Sequence, residues 1–117
     1  MSRDVAPIFA AIDAMNAENF VAYLTPEVRF RFANMDPAIG RAQVTEGVNG
    51  FWASIDGLTH HIQKVYEVGD TVIAQIDVEY RRKDGKSVTV PNCDVLVFQG
   101  DLVRDWQIYI DLAPVFA

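Results

Sequence analysis

Apolar residues recur along the chain with two different periods, and the change of period divides it. Val5, Ile8, Phe9, Ile12 and Met15 fall three and four residues apart, which sets them on one stripe of a helix, with Asp4 placed to cap its start. A shorter helix opens at Asn16 and carries Phe20, Val21 and Leu24 until Thr25-Pro26-Glu27 ends it. From Glu27 to Asn34 the period drops to two. Val28, Phe30, Phe32 and Asn34 share one face and Arg29, Arg31 and Ala33 the other, as in a half-buried strand. The loop "MDPAIG" leads into a third helix over Arg41 to Ile55, marked by Val44, Val48, Phe51, Trp52 and Ile55.

Everything beyond that helix reads as strand. His60–Val68, Thr71–Arg82, Ser87–Gln99 and Leu102–Leu112 are separated by turns at Gly69-Asp70, Asp84-Gly85 and Gly100-Asp101, the spacing of an antiparallel meander. Helices segregated before one curved, mainly antiparallel sheet predict a single α+β domain over residues 1–117. Its form is a cone-shaped α+β barrel, the N-terminal helices packed on the sheet around an apolar cavity suited to a small molecule.

Composition changes this picture little. Of 117 residues, 50% are hydrophobic and 22% charged, the balance of a soluble globular domain. No apolar run approaches the roughly 18 residues of a membrane span. The start "MSRDVAPIFA" lacks a signal peptide's layout, so a cytoplasmic location is expected. A net charge of −6 argues against nucleic acid or an anionic membrane as partner. The basic run Arg81 to Lys86 contains a hairpin Asp-Gly and reads as a solvated tip. Cys93 is the only cysteine, which rules out an intrachain disulfide, and its apolar neighbours predict an inert thiol. The two histidines, His60 and His61, have no partners at ligand spacing, and no phosphate loop or nucleotide fingerprint is present. No metal or cofactor is expected.

The candidate chemistry centres on "PNCDVLVF", where Asp94 interrupts an apolar strand. Burying a carboxylate unpaired is costly, so it needs either partners or a purpose. Alternation places Asp94 on one face with Val88, Val90, Asn92, Leu96 and Phe98. His60 and His61 point to opposite faces, and whichever turns inward is a candidate base near neutral pH.

The order of helix, short helix, "FRF" strand, "GR" helix and meander resembles the nuclear transport factor 2 superfamily, and within it the SnoaL-like branch of polyketide cyclases, ketosteroid isomerases and limonene epoxide hydrolases. The resemblance covers nearly the whole chain. Its most specific pieces are "IGRAQV" (39–44), "VGDTVIAQIDV" (68–78) and Trp106-x-Ile108-Tyr109-Ile110-Asp111-Leu112. It implies that Asp94 stands where the isomerases keep a protonated acid in the oxyanion hole, neutral because its pocket is apolar. The isomerases' general base, however, falls at Phe32 or Arg31 and their tyrosine near Ile8 or Phe9, which argues against steroid isomerisation. Of the epoxide hydrolases' Asp–Arg–Asp set only Asp77 is matched, with Gln75 and Ile108 at the other two positions. Dehydratase-like relatives pair a histidine in the His60–His61 region with an acid where Asp13 lies, although "HHIQKV" lacks their continuation.

For strand 71–82, pattern alone turns Val72, Ala74, Ile76, Val78 and Tyr80 to the core. The resemblance implies the reverse, with Gln75 and Asp77 lining the cavity and the Val72/Ala74/Ile76/Val78 face covered by a second subunit in a homodimer, and that reading is followed here. The expected site then has Asp94 as acid or hydrogen-bond donor and Asp77 or His60 as base. Phe30, Phe32, Asn34, Gln75, Asn92, Trp106 and Ile108 would surround the substrate. The leading expectation is cofactor-free acid–base catalysis on a small apolar molecule, of isomerase, cyclase, dehydratase or hydrolase type. The alternative is a non-catalytic dimeric binding or association module.

Overall fold

The computed structural model describes residues 3–117. Helix α1 (Ala6–Asp13) has a proline in its first turn, where the missing N–H is not needed, and buries Ile8, Phe9 and Ile12. The residue at the N-cap position is Val5. Asp4 nonetheless receives the Ala6 N–H on its carboxylate at 3.1 Å. The helix stops short of Met15, whose left-handed φ of 52° turns the chain into α2 (Ala17–Val21), capped by the Asn16 side chain on the Asn19 N–H. Leu24 belongs not to α2 but to strand β1 (Leu24–Phe32), because Pro26 lacks an N–H and holds Thr25 extended.

A two-residue strand β2 (Ala38–Ile39) leads into α3 (Gly40–Trp52), which buries Val44, Val48 and Trp52. Strands β3 (Gly57–Val68), β4 (Thr71–Arg81), β5 (Ser87–Gln99) and β6 (Leu102–Ile110) form the predicted meander, and α4 (Ala113–Phe116) closes the chain. The sheet is open, in the order β2-β1-β6-β5-β4-β3. Every pairing is antiparallel except β1 with β6, which runs parallel through Phe30–Trp106 and Phe32–Ile108.

The helices cover the concave face. Its rows run across the sheet in register: Leu58–Tyr80–Val88, His60–Val78–Val90, Ile76–Asn92–Ile110 and Ala74–Asp94–Ile108–Phe32. Trp106 is fully buried beneath the helices, edge-on to Phe9, Phe20 and Phe30 with ring centres 5.5–5.7 Å away. Arg41 on α3 donates from Nε and Nη2 to the Leu24 carbonyl and so ties that helix to β1. No helix among the described residues is long and apolar enough to cross a membrane.

This register corrects one expectation. Val72, Ala74, Ile76 and Val78 are 0–1% exposed, turned into the core as simple alternation predicts. A second subunit has no access to them. Gln75 and Asp77 point to the convex face instead.

Candidate active site

A cavity of about 140 Å³ lies between α3 and the concave face. Ile12, Phe20, Phe30, Phe32, Phe51 and Leu58 form most of its wall, and it opens past Met35 and Asp36, both exposed. The polar lining inside it comes from three neighbouring strands: His60 on β3, Tyr80 on β4, Asn92 and Asp94 on β5.

Asp94 is 1% exposed. Its Oδ1 accepts the Asn92 Nδ2–H at 2.8 Å and its Oδ2 the Trp106 Nε1–H at 3.2 Å. Burial pushes its pKa up to about 6, against the opposing pull of the Asn92 bond, the His60 charge and the Trp106 bond. The two donors hold the carboxyl in place at the cavity wall.

His60 resolves the histidine ambiguity. It pairs with Val78 and faces inward, whereas His61 faces out and meets Glu79 at 3.1 Å. Asp13, the last residue of α1, holds His60 twice: it accepts the His60 backbone N–H at 3.0 Å and lies 2.5 Å from ring Nδ1. A carboxylate only accepts, so Nδ1 carries a proton toward Asp13, and in the neutral form of the ring Nε2 is the free base. Phe9 stacks against the ring with centres 5.1 Å apart.

Tyr80 is the group that sequence reading missed. The residue is 3% exposed, and its hydroxyl makes no hydrogen bond to a described residue. No fully buried side-chain N or O among the described residues lacks a partner, so the hydroxyl touches open cavity space. Burial, then the Asp94 and Asp13 charges, drive its pKa far above that of a free phenol. It stays protonated and can only donate to an anion.

Of the sequence candidates, Asp94, His60, Phe30, Phe32, Asn92 and Ile108 line the cavity. Four do not. Asp77 and Gln75 lie on the convex face in a shallow depression with Cys93 and Tyr109. Asn34 is exposed in a turn, because Ala33 takes a left-handed φ of 54° and ends the alternation. Trp106 sits behind the wall rather than in it. Cys93 is half-buried on the convex face, its thiol pKa raised by burial and by Asp94, as befits an inert thiol.

The family model for the SnoaL-like domain matches residues 5–106. The chain belongs to that family. Solved structures with the same fold include a hypothetical protein of ketosteroid isomerase-like fold from Catenulispora acidiphila in complex with trimethylamine (22% identity over 93% of this chain and 85% of that one, TM-score 0.86). A putative SnoaL-like polyketide cyclase from Jannaschia sp. CCS1 matches at 18% identity (98% and 95% covered, TM-score 0.79). So does an LEH-like epoxide hydrolase from M. tuberculosis at 14% (96% and 83%, TM-score 0.79). No curated protein matches the chain in sequence. At such identities these likenesses speak for the shared fold. The polar set of this SnoaL-like domain is one imidazole, one phenol, one amide and one buried carboxyl around an aromatic chamber.

Proposed function

We propose that this protein catalyses cofactor-free proton transfer on a small, largely apolar molecule, removing a proton from carbon beside a carbonyl. The observation that carries the reading is the Asp13–His60 contact at 2.5 Å on the edge of a chamber that also holds Asp94 and Tyr80. His60 Nε2 takes the proton, the C–H electron pair becomes the C=C bond of the enolate, and the carbonyl π pair moves onto oxygen. Tyr80, and Asp94 in its protonated form, donate hydrogen bonds to the developing oxyanion. Return of the proton from His60 to another carbon gives an isomerisation. In a β-hydroxy compound the enolate instead re-forms the carbonyl, the Cα–Cβ double bond forms as the C–O bond breaks, and the hydroxyl leaves as water with the proton that His60 carries. Asp77, on the opposite face of the sheet, takes no part.

The test is deuterium incorporation into cyclohex-2-enone in heavy water, followed by NMR. Wild type accelerates it. His60→Gln slows it by about 10²–10⁴-fold, the usual share of a positioned base. Equal rates for the two proteins refute the proposal.

One observation favours a second reading, a non-catalytic binding module: both Asp94 oxygens already accept bonds from side chains. In that case neither protein exchanges the ketone's protons. Under either reading the proposed assembly is a homodimer, formed through the convex face. There Tyr66, Ile73 and Val95 lie side by side in register, with Val97 next along β5 and Tyr109 across from Cys93. Tyr66 and Tyr109 are 41% and 59% exposed.

A further inference from the structure

We infer that the chamber selects an uncharged, single-ring molecule with one oxygen acceptor, and that it rejects both anions and fused polycycles; which end of the ring meets His60 rests on the proton-transfer reading, while size and charge selection do not. Size is the first argument. The chamber's 140 Å³ is close to the roughly 150 Å³ apolar cavity that takes benzene, and well under the ~300 Å³ at which drug-sized pockets begin. Ile12 and Phe20 from the first two helices, Leu58 from β3 and Phe30 from β1 bound it, all of them buried. Enlarging it for a second fused ring means moving packed core.

Charge is the second argument. Among the described residues, no Lys or Arg lines the chamber. The carboxyl groups about it are Asp36 at the mouth, Asp94 inside and Asp13 behind His60. An anion has to pass the first, lie beside the second and leave water with no Lys or Arg to meet it. The same argument disfavours substrates carrying phosphate or a phosphate-bearing carrier group.

Polarity is the third. His60, Tyr80, Asn92 and Asp94 converge from adjacent strands, while the rest of the inner wall is hydrocarbon and aromatic. A ligand oxygen is therefore satisfied on the sheet side, where the Tyr80 hydroxyl has no partner among the described residues.

The molecule carries its own reporters. It has two tryptophans: Trp52 lines the chamber, and the Trp106 indole N–H is bonded to Asp94 Oδ2. In isotope-labelled protein at neutral pH, the two indole N–H signals are followed during titration with cyclohex-2-enone, cyclohex-1-enecarboxylate and a four-ring steroid enone. The cyclohexenone is expected to shift both signals saturably. The carboxylate binds at least about tenfold more weakly, and the steroid moves neither signal. Equal binding of the carboxylate, tighter binding of the steroid, or no response to cyclohexenone overturns the inference.

Gly47 supplies a second check. It lines the chamber from the exposed edge of α3, and a Cβ added there meets no atom within 4 Å. Gly47→Leu therefore grows into the entrance without a backbone clash. It should abolish the cyclohexenone shifts while leaving the rest of the folded spectrum in place; undiminished binding refutes the assignment of this chamber. Cyclohexenone that binds but gains no deuterium removes the proton-transfer reading and leaves the ligand class standing. Deuterium entering the steroid or the carboxylate does the opposite.

Discussion

Asp94 and His60 lie on the same face of the sheet, yet the surroundings act on them differently. Asp13 fixes the tautomer of His60 by taking the Nδ1 proton. Asp13→Asn can still accept the backbone N–H of His60 but no longer stabilises an imidazolium. Ketone exchange should fall about 10–100-fold with the fold intact, as measured by the deuterium assay beside circular dichroism. Asp94 gives a stability signature of opposite sign to most carboxylates. Its folded pKa of about 6 lies above the ordinary 3.8, so between those values the unfolded chain has already released a proton that the folded chain keeps. Stability should therefore fall as pH rises from about 4 to 6, by up to about 3 kcal/mol from this group. Asp94→Asn should flatten that slope in urea unfolding followed across the interval; an unchanged slope refutes a raised Asp94 pKa. Asp94 also loses its proton, and with it its donor role, above about pH 6, leaving Tyr80 as the neutral donor.

At the scale of elements, the connection that most concerns the site is the edge-to-face cluster under Trp106. Trp106→Phe keeps an aromatic ring against Phe9, Phe20 and Phe30 but withdraws the N–H from Asp94 Oδ2. The expected cost is about 1–3 kcal/mol in denaturant unfolding, with the Asp94 titration moving further upward. A titration that moves down or stays put contradicts the role assigned to that bond.

Elements are also where sequence reading succeeded or failed for physical reasons. Period-two alternation correctly placed Asp94, Asn92, Phe30 and Phe32 on the concave face, because a strand's facing is a local property once one residue is fixed. The same rule handled Val72 to Tyr80, and the error there came from setting the pattern aside for the resemblance. Tyr80 went unnoticed in that apolar row because a phenol reads as core until its hydroxyl is found without a partner. His60 against His61 was not decidable locally. The choice depends on which residue pairs with Val78, a matter of long-range register. Asn34 fell outside the site through a left-handed Ala33, a conformation alanine does not advertise. The fold was legible nearly throughout, and the site in part.

Across the whole molecule, the open sheet has one covered face and one bare one. Ile73, Val95 and Val97 on the bare face are half-buried, and Tyr66 and Tyr109 extend the patch. A dimer through this face is expected in sedimentation at micromolar concentration, with Val95→Lys giving a monomer that keeps its fold. A wild-type monomer refutes the proposed assembly. Such a dimer leaves the chamber mouth at Met35 and Asp36 free, on the other side of the sheet from the contact.

The strand order has a consequence for how the protein comes into being. β6 is made last of the strands yet sits between β1 and β5. While a ribosome is still extending the chain, Phe30 and Phe32 have no sheet neighbour on that side, and Asp94 waits for the indole that will hold it. The aromatic wall on β1 joins the β3–β5 meander, which carries His60, Tyr80, Asn92 and Asp94, only when Leu102–Ile110 enters the gap between them.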